Sequence, residues 1–247
     1  MSKGGKQRIR DTGLAEKQEA IETSRNEGKI VTIEEKINLL QEYDDMVILS
    51  DEQFEILKDY SIDNDNTVRR MVAPLLIDFI NENSKNILLQ LAQDEDELVR
   101  TEAFDSLSVF PYNDVLDFLQ EAISSETSRL VRSYAILSWA DVVVLLKRVS
   151  VSKIEFAKNK KETEKANDYA LSWCYALFMF GIKESLNELL QFLKSDDYQI
   201  RCTTLSLLSD IIDSSNEICI KDAVEWLLIA ENSEAVRDRA ERFIKEK

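Results

Sequence analysis

Five times in this chain an acidic turn runs into Val-Arg or Ile-Arg and then into an apolar stretch at helical spacing. It reads DNDNTVRRMVAPLL over 63–76, DEDELVRTEAFDSL over 94–107, ETSRLVRSYAIL over 126–137, SDDYQIRCTTLSLL over 195–208 and ENSEAVRDRAERFI over 231–244. A unit that recurs in this way is one helix pair, and one pair cannot bury its apolar face alone. The repeat therefore commits the chain to a stack of pairs.

The arginines are Arg69, Arg100, Arg132, Arg201 and Arg237, separated by 31, 32, 69 and 36 residues. The value 69 is about twice the others, so one repeat is hidden near residue 167. Its register fits. Three residues after each arginine stands Val72, Ala103, Ala135, Thr204 or Ala240, and three after Asn167 stands Ala170. Apolar residues follow at offsets of four, seven and ten: Phe104, Leu107 and Phe110; Ile136, Trp139 and Val142; Leu171, Cys174 and Leu177; Leu205, Leu208 and Ile211. That spacing is one face of an α-helix. Only 5 glycines and 2 prolines interrupt the chain, too few for the turns of a strand-rich fold. The expected class is all-α, a right-handed α-solenoid of about six antiparallel helix pairs over residues 32–247.

Both ends should be capped. Thr32–Glu35 and Ser50–Gln53 are capping-box patterns, the first opening a terminal cap helix and the second the first full pair. The last helix carries Arg239, Glu241, Arg242 and Lys245 on its exterior, as a C-terminal cap requires. Residues 1–31, with 7 basic and 5 acidic side chains and few large apolar ones, read as a flexible basic tail.

The pattern resembles HEAT repeats, in particular the short type of phycobilisome-lyase-like proteins, over about residues 50–245. The residues that carry it are an acid six positions before each arginine: Asp63/Arg69, Asp94/Arg100, Glu126/Arg132 and Glu231/Arg237, with Ser195 in the fifth pair. The resemblance implies a superhelix in which these acids and arginines form a ladder between neighbouring repeats. The arginines are then internal staples. At the hidden repeat both ladder positions change, to Lys161 and Asn167. A loosened junction with an extended loop between Asn159 and Lys165 is expected there.

Histidine is absent, which removes His-based nucleophile systems, general bases and metal ligands together. Cys174, Cys202 and Cys219 are scattered in apolar patterns and read as buried reduced thiols, placing the chain in the cytoplasm. No catalytic residue, metal or cofactor is indicated. No apolar run is long enough to span a bilayer.

Charge is unevenly placed. Residues 32–126 carry 6 basic and 23 acidic side chains, net −17, whereas residues 127–247 carry 18 and 19, net −1. A field of that sign repels nucleic acid and anionic membrane and steers a basic partner. On the second helices, the positions opposite the core face include Asp78, Glu102, Asp105, Tyr134, Asp141, Tyr169 and Trp173. Together they read as an acidic concave surface with aromatic anchors, while Trp139 and Trp226 are assigned to the core. The expected function is non-enzymatic: a chain, monomeric alone, that binds a protein with a basic surface, as an immunity, inhibitor or adaptor protein would. The alternatives are a HEAT-like enzyme of the bilin lyase type and a structural assembly subunit.

Overall fold

A computed structural model describes residues 31–46, 49–164 and 169–247. The expected N-terminal tail, apart from its last residue, and the register position Asn167 lie outside them. The described residues form thirteen α-helices and two 3-10 helices, with no strand among them. The chain divides into two compact units, Met1–Phe110 and Pro111–Lys247. The expectation of an all-α solenoid of helix pairs holds.

The first unit contains α1 (Ile33–Asp44), α2 (Asp51–Tyr60), α3 (Asn66–Leu75), α4 (Glu82–Leu91) and α5 (Glu97–Leu107). Both capping boxes form. Thr32 accepts from the Glu35 amide and Glu35 accepts from the Thr32 amide, and Ser50 and Gln53 do the same. The helix α1 packs on α3, and α3 packs on α5, so the second helices lie side by side. Pro74 has no amide to donate, and α3 tightens into a 3-10 turn (Leu76–Asp78) directly after it.

The second unit contains α6 (Asn113–Ser125), α7 (Arg129–Leu145), α8 (Val151–Thr163), α9 (Ala170–Met179), α10 (Ser185–Gln191), α11 (Tyr198–Ile211), α12 (Glu217–Ala230) and α13 (Glu234–Glu246). The helix α9 packs between α7 and α10, and α13 packs on α11 and α12. Two of its helices end in Schellman turns. After α9, Gly181 takes φ +90°, its amide donates to Phe178 and the Ile182 amide donates to Leu177. After α7 the same turn is made by Lys147 at φ 55°, a left-handed conformation that costs a side-chain-bearing residue about 1 kcal/mol.

The core follows the repeat register. Val72, Ala103, Ala135, Thr204 and Ala240 are each fully buried, and the residues four, seven and ten positions beyond Arg100, Arg132 and Arg201 are buried with them. Ala170 is only half-buried. Trp139, Phe156, Trp173 and Phe180 form an edge-on aromatic cluster, with ring centroids 5.2–6.2 Å apart.

Two expectations are corrected. The loop expected between Asn159 and Lys165 is helix through Thr163, because Phe156 and Ala157 anchor α8 to this cluster. Trp226 is not in the core. It is 73% exposed, because α12 turns only Ile220 and Val224 fully inward.

Candidate functional site

The repeat arginines serve the stack. At Arg69, Arg100 and Arg201 the guanidinium folds back on the carbonyls of its own acidic segment. Arg69 donates to Asp63 and Asn64 at 2.8 and 3.2 Å, Arg100 to Asp94 and Glu95 at 2.9 and 3.1 Å, and Arg201 to Ser195 and Asp196 at 2.6 and 3.1 Å. The rest of the guanidinium reaches the next repeat. Arg69 grips Asp94 through Nε and Nη2 at 2.7 and 2.8 Å, and Arg201 grips Glu231 in the same way and at the same distances. Each acid also turns its own chain, since Asp94 accepts from the Asp96 amide at 2.9 Å and Glu231 from the Ser233 amide at 2.7 Å.

These contacts set the ionisation of the acids. Burial by itself would raise Asp94, but the Arg69 hydrogen bond, the Asp96 amide and the Arg69 charge together hold it below the ordinary carboxylate range. The Arg201 hydrogen bond lowers Glu231 in the same direction.

Two rungs were missed in the sequence. Lys36 of α1 pairs with Asp63, so the cap helix supplies the first rung. The signal was present: Lys36 stands 33 residues before Arg69, within the repeat period, and Leu39, Leu40 and Tyr43 behind it are buried in the same register. The second rung lies at the hidden repeat. Lys161 occupies the acid position, yet Arg132 pairs with Glu164, three residues later. Glu164 also accepts from Trp173 Nε1 at 2.8 Å, and the Arg132 guanidinium stacks on Tyr169 at 4.5 Å. Lys161 turns instead to Glu188, 2.7 Å away. The expected loosened junction is thus bridged by a replacement acid.

That knot decides two of the expected partner contacts. Trp173 is fully buried and Tyr169 nearly so. Their rings and the Trp173 N–H are engaged inside the second unit, so neither is presented to a partner, and both are withdrawn as anchors. Tyr134 is half-buried, and Asp141 accepts from the Tyr175 hydroxyl at 2.7 Å. In the first unit Asp78 and Asp105 are exposed, and Glu102 is half-buried. Burial raises the Glu102 carboxyl above its ordinary range, partly offset by Arg70.

The cysteines separate by environment. Cys174 is buried, and burial, followed by the charge of Glu188, pushes its thiol up to about 12, far from a reactive thiolate. Cys219 is exposed, against the expectation of burial, because it lies on the outward side of α12. Among the described residues no three Cys, Asp or Glu side chains are grouped to hold a metal ion. No described helix is long and apolar enough to cross a membrane.

One surface feature was not anticipated. Between α12 and the end of the α10 segment lies an open groove of 1140 Å³. Its apolar lining includes Leu190, Leu193, Ile218, Ala223, Trp226 and Leu227. Hydrophobic periodicity could not place it, because the apolar side of α12 reads as the buried face of a helix.

Comparison with known proteins agrees with this architecture. Residues 54–140 match the family model of HEAT repeats. No curated protein matches the chain in sequence. Among solved structures, the chain is similar to one from the complex of CpcE and CpcF of phycocyanin lyase from Nostoc sp. PCC7120. The two are 15% identical, with a TM-score of 0.52 over 77% of this chain and 80% of that one.

Proposed function

With HEAT repeats over residues 54–140 of an α-solenoid as the premise, we propose that the chain is a non-enzymatic protein-binding module whose acidic first unit engages a partner with a basic surface. The observation that carries this reading is the charge of the first unit, in which residues 32–110 hold 19 acidic against 6 basic side chains, on a repeat fold. The ladder neutralises some of those acids, among them Asp63 and Asp94. Asp78 and Asp105 stay at the surface, and Glu102, three residues before Asp105 on the same helix, is half-buried. Repeat stacks offer extended surfaces for partners, and charge complementarity governs how fast and how selectively such partners arrive. Asp141, in the second unit, is tied to Tyr175 and is assigned a packing role, leaving Tyr134 as the aromatic candidate there.

The test compares capture of soluble proteins by the wild type and by a Glu102→Lys/Asp105→Lys variant at 50 and 300 mM salt. The expected result is a basic partner retained by the wild type at low salt, released at high salt and not captured by the variant. A partner held equally by both proteins, with the same salt response, would refute the acidic-surface reading.

A second reading is a subunit of a bilin-lyase-type enzyme, supported by the likeness of fold to the phycocyanin lyase complex. Saturable binding of a bilin chromophore, followed by its absorption, would favour it over the first.

A further inference from the structure

The helix α12 presents an apolar surface that nothing in its own unit covers. Ile218 is 79% exposed, Trp226 73% and Ile229 73%. On a helix these fall close together, since Ile218, Asp222, Glu225 and Ile229 follow one another at spacings of three and four residues, with Trp226 adjoining them. The preceding first helix, α10, has 7 residues and continues as the 3-10 turn Phe192–Lys194, together shorter than the 14 residues of α12. The shorter helix leaves the flank of α12 uncovered, and the groove occupies that gap. An exposed tryptophan between two exposed isoleucines beside such a groove marks a binding site.

The charges around it select the occupant. Asp222 and Glu225 lie on the same ridge as the isoleucines, and Asp196 stands on the opposite rim of the groove. All three are exposed, and none has an ion-pair partner among the described residues. The nearby Arg201 and Glu231 satisfy each other, Lys221 pairs with Glu217, and Lys194, which also lines the groove, donates to Gln191 at 3.2 Å, so acids outnumber cations around the groove. A second copy of this chain would bring its own Asp222 and Glu225 against these acids, under a net charge of −16 per chain. An anionic lipid surface would be repelled in the same way. A cationic amphipathic helix satisfies both parts of the surface, with apolar side chains in the groove and Lys or Arg against the acids. At 1.5 Å per residue α12 offers about 21 Å, enough for a partner helix of about four turns.

We propose that the groove between α10 and α12 is a docking site for a basic amphipathic helix of a partner protein, seated on Ile218 and Trp226 and oriented by Asp196 and Asp222. This site is separate from the acidic surface of the first unit.

The test uses a 16-residue helix with Leu at i, i+3, i+4 and i+7 and Lys elsewhere, together with a twin carrying Glu in place of Lys. Trp139 and Trp173 are fully buried, so Trp226 is the tryptophan whose emission responds to solvent. Expected results are a saturable blue shift with the Lys helix and none with the Glu twin. By anisotropy of the labelled Lys helix, affinity falls at least tenfold in Trp226→Ser and about tenfold in Asp196→Asn/Asp222→Asn. Both sets of positions are exposed, and circular dichroism verifies that the variants fold. Glu102→Lys/Asp105→Lys leaves this affinity within twofold, so failure of the first-unit reading is seen separately. The proposal is overturned by absence of binding, or by binding that ignores Trp226. It is also overturned if sedimentation reveals a dimer that Trp226→Ser dissolves, or if phosphatidylcholine–phosphatidylglycerol vesicles produce the blue shift and the peptide does not.

Discussion

Removing one partner of the Arg69–Asp94 rung should be far more damaging than removing a surface ion pair. Both side chains are 11% exposed, so each loses most of its water on folding. Breaking such a pair from one side costs about 3–5 kcal/mol, because the surviving charge stays buried without a counterion. The residual exposure places this rung at the lower end, about 3 kcal/mol. Arg69→Met also strips the bonds to the Asp63 and Asn64 carbonyls, one of them long, for about 1 kcal/mol more. The total is about 4 kcal/mol. Asp94→Asn keeps an oxygen for the Asp96 amide and Arg69 Nη2 but turns an amide NH2 toward Arg69 Nε, losing the charge and one acceptor, for about 3 kcal/mol. In the double variant neither charge is left stranded, so the two effects should fall short of their sum by about 2 kcal/mol. Urea unfolding followed at 222 nm measures the cycle. Hydrogen exchange in α3 and α5 localises it, since repeat stacks can open unit by unit. Additivity within about 0.5 kcal/mol would refute the rung as a coupled pair. Lys161→Met provides the contrast: Glu188 is 52% exposed, and its loss should stay below about 1 kcal/mol.

Four further outcomes follow from the same contacts. Asp63, Asp94 and Glu231 have lowered folded pKa values, so their contribution is whole above the unfolded value near 4 and is lost as pH falls through the folded value; melting temperatures between pH 6 and 2 should drop in that window, and less steeply in Arg69→Met. Glu102 has the opposite sign, its folded value being raised, so Glu102→Gln should raise the melting temperature at pH 7 and leave it unchanged at pH 3. Trp173→Phe strands a Glu164 oxygen and should cost about 1–3 kcal/mol beyond its packing loss, whereas Trp139→Phe removes a buried N–H that has no partner among the described residues and should cost less, both read by chemical denaturation. Cys219 should react rapidly with a disulfide reagent at pH 8 while Cys174 stays inert until unfolding, and Cys219→Ser should abolish the fast phase.

The sequence by itself determined the class of fold, the repeat register and the second-helix positions that fill the core at that register. Apolar period and acid-to-arginine spacing are local properties, and a stack of near-identical pairs repeats the same local answer. Val72, Ala103, Ala135, Thr204 and Ala240 were therefore readable one by one. The first rung was readable as well, since Lys36 keeps the period of the arginines. Glu164 was harder. Its signal is its distance from the arginine of the preceding repeat, 32 residues after Arg132, comparable with the 30 that separate Glu231 from Arg201. Its distance within its own repeat gives no hint.

Only the tertiary structure decided which apolar and aromatic residues face outward. Trp173 stands at a surface register position and is buried, because the aromatic cluster and Glu164 close over it. Trp226 lies on the apolar side of α12 and is exposed, because the preceding first helix, even with its 3-10 extension, is shorter than α12. Burial depends on the length and placement of the neighbouring element, and the periodicity of one helix carries no information about how far its neighbour extends.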